Sequence, residues 1–376
     1  MEEYSPLVSI CCFTYNHEKY IRDCIEGVLK QKVNFDYEII IGEDCSTDLT
    51  KKIIESYAAL NSKIKIVTSK NNVGMINNFI RTIKAASGKY IAFCEGDDYW
   101  VDGNKLQKQF NFMEKNTKFV LCGHAVKVLD NRNNMFLENY QKFNYSGEIS
   151  INEITKEPLF HAASCFFRSS VFENGIPEYI LEAPVLDYYL QLIAAEKGKI
   201  YYFNEPMATY RRFTEGSWSE KTSKIENQLD FLERHIITLE KFRSQTNEEY
   251  KEHLLKVIEQ YIEEIKHIKE KHPKFSCPEN YLSLQNIDSL EEYDSIYIFG
   301  AGGRGETLKK ILDINKIKIK GFIDNNKVGL ELYEEKIFSL SMIDKRSLIL
   351  IASDWYKDII QQLKKGDFSN FYVFWL

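Results

Sequence analysis

A chain of 376 residues, 44% of them hydrophobic, is long enough for two or three globular domains. Its formal net charge of −6 disfavours a nucleic-acid partner, which selects for a basic surface, and no apolar run reaches the length of a membrane span. The start, Met1-Glu2-Glu3-Tyr4, lacks signal-peptide character, and the eight cysteines include no Cys-x-x-Cys pair, so reduced thiols in a cytoplasmic protein are expected.

The first hundred residues alternate two periodicities. Strand-like apolar runs are predicted over 7–13, 37–41, 64–68 and 90–93, with helical spacing over 20–29, 50–60 and 75–86. Repeated β-α units with continuous apolar strands predict a largely parallel sheet covered on both faces. Ligands on such sheets bind beyond the carboxyl ends of the strands. Three predicted strand ends carry polar clusters: Thr14-Tyr15-Asn16, Glu43-Asp44-Cys45-Ser46 and Glu95-Gly96-Asp97-Asp98. The last places three carboxylates within four residues, which repel one another unless a cation stands between them. An acidic surface turn is the alternative reading.

Further along, 119–122 and 164–167 read as strands and 185–195 as a helix. From 220 to 272, Ile225, Leu229, Leu232, Ile236 and Leu239, then Leu254, Ile258, Tyr261, Ile265 and Ile268, recur at helical spacing. Thr246-Asn247-Glu248-Glu249 reads as a capping box between two helices, and His272-Pro273 as a stop. This helical hairpin packs on its parent domain or pairs with a second chain. The final segment is a smaller α/β unit: strands at 295–299, 317–323, 348–352 and 371–374, with Gly300, Gly302 and Gly305 opening a helix and Asp324 ending the second strand. Those glycines fit the dinucleotide turn, with Asp324 placed to meet a ribose; a docking or oligomerisation module is the alternative.

Val8-Ser9-Ile10-Cys11-Cys12-Phe13-Thr14-Tyr15-Asn16, Glu43-Asp44-Cys45-Ser46-Thr47-Asp48, Asn71-Asn72-Val73-Gly74 and Glu95-Gly96-Asp97, in this order, resemble family 2 glycosyltransferases of the GT-A fold over about residues 5–215. The resemblance implies an α/β fold with a GT-A domain over 1–219, a helical hairpin linker over 220–285, and a Rossmann-like domain over 286–376. The last is similar to the small N-terminal domain of bacterial sugar acyltransferases. It also implies inverting transfer of a sugar from a nucleotide-diphosphate donor, expected to be UDP-linked, to a glycan or lipid-linked acceptor, in surface polysaccharide synthesis. A lipid-linked acceptor would place the protein at the inner face of the cell membrane, bound peripherally.

By motif, Asp97 with Glu95 is expected to hold Mn2+ or Mg2+, and Asp98 to be structural. Thr14, Tyr15, Asn16, Asp44, Gly74, Glu95 and Gly96 should line the nucleotide pocket, with Asp44 on the base. Asp187 is the expected general base, with Glu182 as second choice. Tyr210-Arg211-Arg212-Phe213-Thr214-Glu215-Gly216-Ser217 resembles the family's Tyr-Arg-x-His-x-x-Gly-x-Ser segment, making Arg211 a diphosphate clamp or one of a surface pair. Trp100 and His161 border the acceptor pocket or belong to the core. Glu43 and Glu95 replace the family's usual aspartates, and Asn77-Asn78-Phe79 stands where it has Ala-Arg-Asn, so a phosphate-side arginine is absent unless Arg81 supplies it. The competing readings are a non-catalytic nucleotide-sugar scaffold and an NAD-dependent oxidoreductase built on the C-terminal unit.

Overall fold

The computed structural model describes residues 6–221, 225–271, 281–282, 284–353 and 355–374. Contacts divide the chain into two units, 1–228 and 229–376.

The first unit opens with β1 (Val8–Thr14), α1 (Ile21–Leu29), β2 (Tyr37–Glu43), α2 (Thr50–Leu60), β3 (Ile64–Thr68), α3 (Met75–Lys84) and β4 (Tyr90–Glu95). Apolar spacing does the local work: Ile21, Cys24, Ile25 and Val28 make one buried face of α1. β1 and β2 are buried almost throughout, as strands covered on both faces must be. After β4 come β5 (Tyr99–Trp100), α4 (Lys105–Lys115), β6 (Phe119–Asp130), β7 (Met135–Phe136), β8 (Gly147–Ile149), α5 (Ile151–Lys156), β9 (Phe166–Arg168), α6 (Asp187–Lys197), β10 (Lys199–Arg212) and α7 (Trp218–Lys221). One sheet runs β3-β2-β1-β4-β9-β6-β10-β5, with β7 paired to β6 and β8 to β10. β3, β2, β1 and β4 are mutually parallel. The register sets Thr14 opposite Glu43 and Phe13 opposite Glu95, so these strand ends stop level with one another.

Two elements depart from the expected pattern. The strand predicted at 164–167 begins later, after a 3-10 turn over Ala162–Ser164. β10 is a 14-residue strand that the sequence pattern did not announce. Its register shifts between Phe203 and Ala208, where Asn204-Glu205-Pro206 interrupts the apolar pattern.

The second unit holds most of the helical hairpin, α8 (Ile225–Gln245) and α9 (Glu248–Lys271). Leu229, Leu232, Ile236, Leu239, Leu254, Ile258 and Ile265 of the predicted stripes are buried. The side chain of Ile225 and the stop at His272-Pro273 lie outside the described residues. The first amides of α9, at Tyr250 and Lys251, donate to the Asn247 carbonyl, so the helix starts one residue later than a Thr246 cap would place it. The remaining elements are β11 (Tyr281–Leu282), β12 (Ile296–Phe299), α10 (Gly303–Ile314), β13 (Gly321–Ile323), β14 (Glu331–Leu332), β15 (Glu335–Phe338), β16 (Leu348–Ile351), α11 (Tyr356–Lys365) and β17 (Phe371–Phe374). They form a sheet ordered β11-β17-β16-β12-β13-β15-β14, parallel except at β14–β15.

Candidate active site

The loops after β1 and β2 are laced together by side chains. Asn16, at φ 55°, donates its amide to Ser46 Oγ at 3.0 Å and accepts from the Thr47 amide at 2.8 Å. The Glu18 amide donates to Asp48 at 3.0 Å, and the Leu49 amide donates back to Glu18 at 2.8 Å. Glu43 is fully buried, which would raise its pKa, yet bonds from Ser46 and Thr68 hold it below the usual range. Asp44 accepts from the amides of Val73 and Gly74, both at 2.9 Å, and pairs with Arg81 at 3.3 Å. Gly74, at φ 84°, can adopt the left-handed turn that delivers its amide there. Arg81 also donates to the Glu43 carbonyl at 2.7 Å, so the arginine fastens α3 to the end of β2. Tyr15 is exposed beside Asn16.

The acidic turn after β4 is packed on the first loop. A Cβ added at Gly96 would lie 2.6 Å from Thr14 Oγ1 and 2.9 Å from His17 Nδ1. Gly96→Ala should therefore destabilise the fold by about 1–3 kcal/mol; an unchanged urea midpoint would show that the turn has slack.

Arg211 holds the other side of that turn. Its amide donates to Asp98 Oδ1 and its guanidinium to the Asp97 carbonyl, each at 2.8 Å. The guanidinium also pairs with Asp23 and lies 4.3 Å from the centre of the Tyr99 ring. The structure thus ties the expected diphosphate clamp to the turn itself. Asp97 Oδ2 accepts from Thr214 Oγ1 at 2.8 Å.

Asp98, given a structural role from sequence, is brought together with His161 and Glu95. One ligand atom from each of the three lies within 4.8 Å of the others. His161 Nδ1 is 3.4 Å from Asp98 Oδ2, and His161 Nε2 is 3.9 Å from Glu95 Oε2. Asp98 Oδ2 is buried without a hydrogen-bond partner. Burial, then the charges of Asp97 and Glu95, hold Asp98 well above the usual carboxylate range. Burial pushes His161 down to about 4. The Ala163 amide donates to His161 Nδ1 at 3.3 Å, so that nitrogen carries no proton toward Asp98. The pair is a neutral contact rather than an ion pair. Glu95 is pushed up to about 8 by burial and by the charges of Asp97 and Asp187. Two carboxyls and an imidazole with donor atoms this close, one of them a buried oxygen without a hydrogen-bond partner, fit a divalent cation.

Asp187 is the first residue of α6 and accepts from the Tyr188 amide at 2.8 Å. Burial pushes its pKa up to about 6. Glu182 ends the short 3-10 turn before it. On the acceptor side, the structure selects between the two readings of Trp100. Trp100 is 3% exposed, donates its indole N–H to the Ala163 carbonyl at 2.9 Å and carries Lys105 over its ring, so it is a core residue and not a pocket wall. His161 sits against the acidic turn, with Tyr210 4.0 Å away ring to ring. Asp23 was missed as a neighbour of the site, and Asp98, Thr214 and Tyr210, though present in the motifs, were given no place in it. The Tyr210–Thr214 segment was visible as a motif, but nothing in it shows which turn it meets.

In the second unit, a crevice of about 240 Å³ is lined by Gly300–Arg304, Asp324, Lys327, Ala352, Ser353 and Trp355. It lies at the carboxyl ends of β12 and β16, where the strand order reverses. Gly305 must be glycine, since a Cβ would sit 1.8 Å from the Gly300 carbonyl oxygen. Asp324 accepts from the amides of Ala301 and Asn326, closing the turn.

Comparison with known proteins agrees with this architecture. The model of glycosyl transferase family 2 matches residues 9–175, and that of a C2185-like N-terminal domain matches 292–373. An uncharacterized Mycobacterium tuberculosis protein is 32% identical over 212 residues, 56% of this chain and 60% of its own length. The Bacillus subtilis teichuronic acid biosynthesis glycosyltransferase TuaG is 35% identical over 131 residues, 35% of this chain and 51% of its own length. The chain therefore spans about half to three-fifths of these relatives. Staphylococcus aureus TarS 1–349, solved with UDP-GlcNAc, matches at TM-score 0.55 and 16% identity, over 83% of this chain and 84% of that one. Over residues 9–175 the chain resembles glycosyl transferase family 2, and the fold of the first unit is GT-A. Among the described residues, no helix is long and apolar enough to cross a membrane.

Proposed function

We propose that the chain is an inverting glycosyltransferase that moves a sugar from a nucleotide-diphosphate donor to an acceptor hydroxyl. The observation that carries this reading is Asp187: a carboxylate raised to about 6 stands close enough to Glu95 for its charge to act there. A proton acceptor and a crowded acidic cluster at one sheet end are what displacement of a diphosphate requires. Thr14, Tyr15, Asn16, Asp44, Gly74 and Gly96 form or brace the nucleotide side in this reading, with Arg211 holding the turn. Glu95, Asp98 and His161 would hold a divalent cation, Mn2+ or Mg2+, with Asp97 adding charge beside them. The cation would stabilise charge on the departing diphosphate. TarS, solved with UDP and with UDP-GlcNAc, supports a UDP-linked donor. The name of TuaG supports a place in surface polysaccharide synthesis.

A panel of nucleotide sugars incubated with the protein and Mn2+ or Mg2+ tests this, read by donor turnover. No binding or turnover of any donor, and no effect of Asp97→Ala, would reject it. Metal binding has its own readout. Burial favours the protonated forms of Glu95 and Asp98, which a cation must displace, so Mn2+ binding near pH 7 should release up to about two protons per ion and tighten as pH rises. Calorimetry in buffers of different ionisation enthalpy measures this; binding independent of pH, or unaltered by His161→Ala, would exclude this cluster.

A second reading concerns the C-terminal unit, where the crevice beside Gly300–Arg304 supports a nucleotide-binding role. Titration with UDP and with NAD, each repeated on Gly302→Val, separates a nucleotide site from a docking module.

A further inference from the structure

Gln191 is a fully buried residue one helical turn after Asp187 on α6, so the two share a face of that helix. Its side-chain oxygen accepts from the amides of Leu159 and Phe160, both at 3.1 Å, and its nitrogen donates to the Phe160 carbonyl at 2.9 Å. One side-chain amide thus pairs with both main-chain polar groups of Phe160, as a residue on a neighbouring antiparallel strand would. The next residue in the chain is His161. Phe160 is itself pinned: an added Cβ at Gly123 of β6 would meet its ring at 2.4 Å, and the ring stacks on Tyr202 at 5.9 Å between centres. At the far end of the same segment, fully buried Gln109 of α4 donates to the Ser164 carbonyl and accepts from Lys105, each at 2.8 Å. Between these two clamps the Ser164 amide and hydroxyl donate to the His161 carbonyl, at 2.9 and 2.8 Å. Of the two glutamines, only Gln191 lies on the helix that begins with Asp187.

We infer that Gln191 is a positioning residue: by tying α6 to the backbone that presents His161, it sets the separation between the proton acceptor Asp187 and the cation. This rests on the roles proposed above for Asp187 and His161. Gln191 touches neither of them through its side-chain bonds and acts through the Leu159–Phe160 backbone. Groups that must be aligned for reaction tolerate little displacement, and a shift of about 1 Å costs on the order of 10²-fold in rate. Partners one step behind a metal's own ligands matter for the same reason, at about 10–100-fold in affinity or activity. Satisfying buried backbone groups is the plainer role for such a glutamine, and that role predicts a loss of stability alone.

Gln191→Met keeps the length of the side chain and removes its bonds. Gln31→Met is the matched control. Gln31 is also buried and bonds to the backbone of Gly27, Asp102 and Leu106, but it lines a pocket with Tyr37, where β2 begins, at the sheet edge opposite the acidic turn. Both variants should lower the urea midpoint. Only Gln191→Met should also lower kcat by about 10–100-fold at unchanged donor KM, and weaken Mn2+ binding by about tenfold. The loss of Mn2+ affinity should vanish in a His161→Ala background, where the residue being placed is gone. A measurement on the wild type needs no variant to fold. Coupling is reciprocal, so Mn2+ should slow hydrogen exchange at the Leu159 and Phe160 amides more than at the Leu106 amide, which Gln31 holds. Equal kcat and Mn2+ affinity in the two methionine variants, losses that add to those of His161→Ala, or equal slowing at all three amides overturns the inference alone. Wild type that neither binds Mn2+ nor turns over any donor rejects the functional reading, and this inference with it.

Discussion

Replacing Asp187 by asparagine should lower the turnover number for transfer by about 10²–10⁴-fold while leaving donor binding intact. The amide keeps the shape of the side chain and an oxygen that can accept from the Tyr188 amide, so α6 should start as before. What it removes is a proton acceptor whose pKa burial has brought to about 6. Wild-type activity should therefore fall as pH drops through about 6, and the asparagine variant should lose that limb. Stability moves the other way. A carboxylate whose folded pKa exceeds its unfolded value contributes stability at low pH and loses it as pH rises through the folded pKa. Asp187→Asn should be neutral below pH 4 and neutral to stabilising above pH 6, in the window set by that shift. A variant that unfolds earlier than wild type at pH 8 would show that Asp187 is structural.

Arg211→Met should cost about 2–4 kcal/mol of folding stability, the larger of the two effects on the fold. The methionine fills part of the space but leaves the Asp97 carbonyl without its donor and Tyr99 without its cation. Arg211→Lys should recover only part of this, because an ammonium cannot reach Asp97 and Asp23 together in a flat fork. Chemical denaturation measures the loss. A midpoint unchanged in the methionine variant would mean that the guanidinium is free for a ligand and is not a brace. Metal binding offers a second readout, since slackening the Asp97–Asp98 backbone should weaken it even in folded protein.

The parallel half of the first sheet was legible because buried strands write themselves as unbroken apolar runs, and Tyr90–Phe93 ending in carboxylates marked its functional edge. The β10 strand was not, because a bulge around Asn204-Glu205-Pro206 breaks the alternation that identifies a strand. Glu95 and Asp187 could be picked out by motif. The partnership of Asp98 with His161 could not: some sixty residues separate them, and only the 3-10 turn beside β4 brings the histidine back. Trp100 stood open between pocket and core for a related reason. An aromatic after an acidic turn suits a sugar platform, but the α1 backbone at Gly27 and the Ala163 carbonyl enclose it.

The lacing of Asn16, Glu18, Ser46, Thr47 and Asp48 has a thermodynamic consequence. These loops are ordered by folding, so the entropy of fixing them is charged to the folded state and not to any ligand. In the proposed reading, a nucleotide arriving there would meet a preformed surface, and its affinity would lose little to loop ordering. The acidic turn is different, since burial favours the protonated forms of Glu95 and Asp98, and the proposed cation would have to displace those protons. In that reading, recognition at one side of the crevice would be governed by shape, and at the other by the hydrogen-ion activity of the medium.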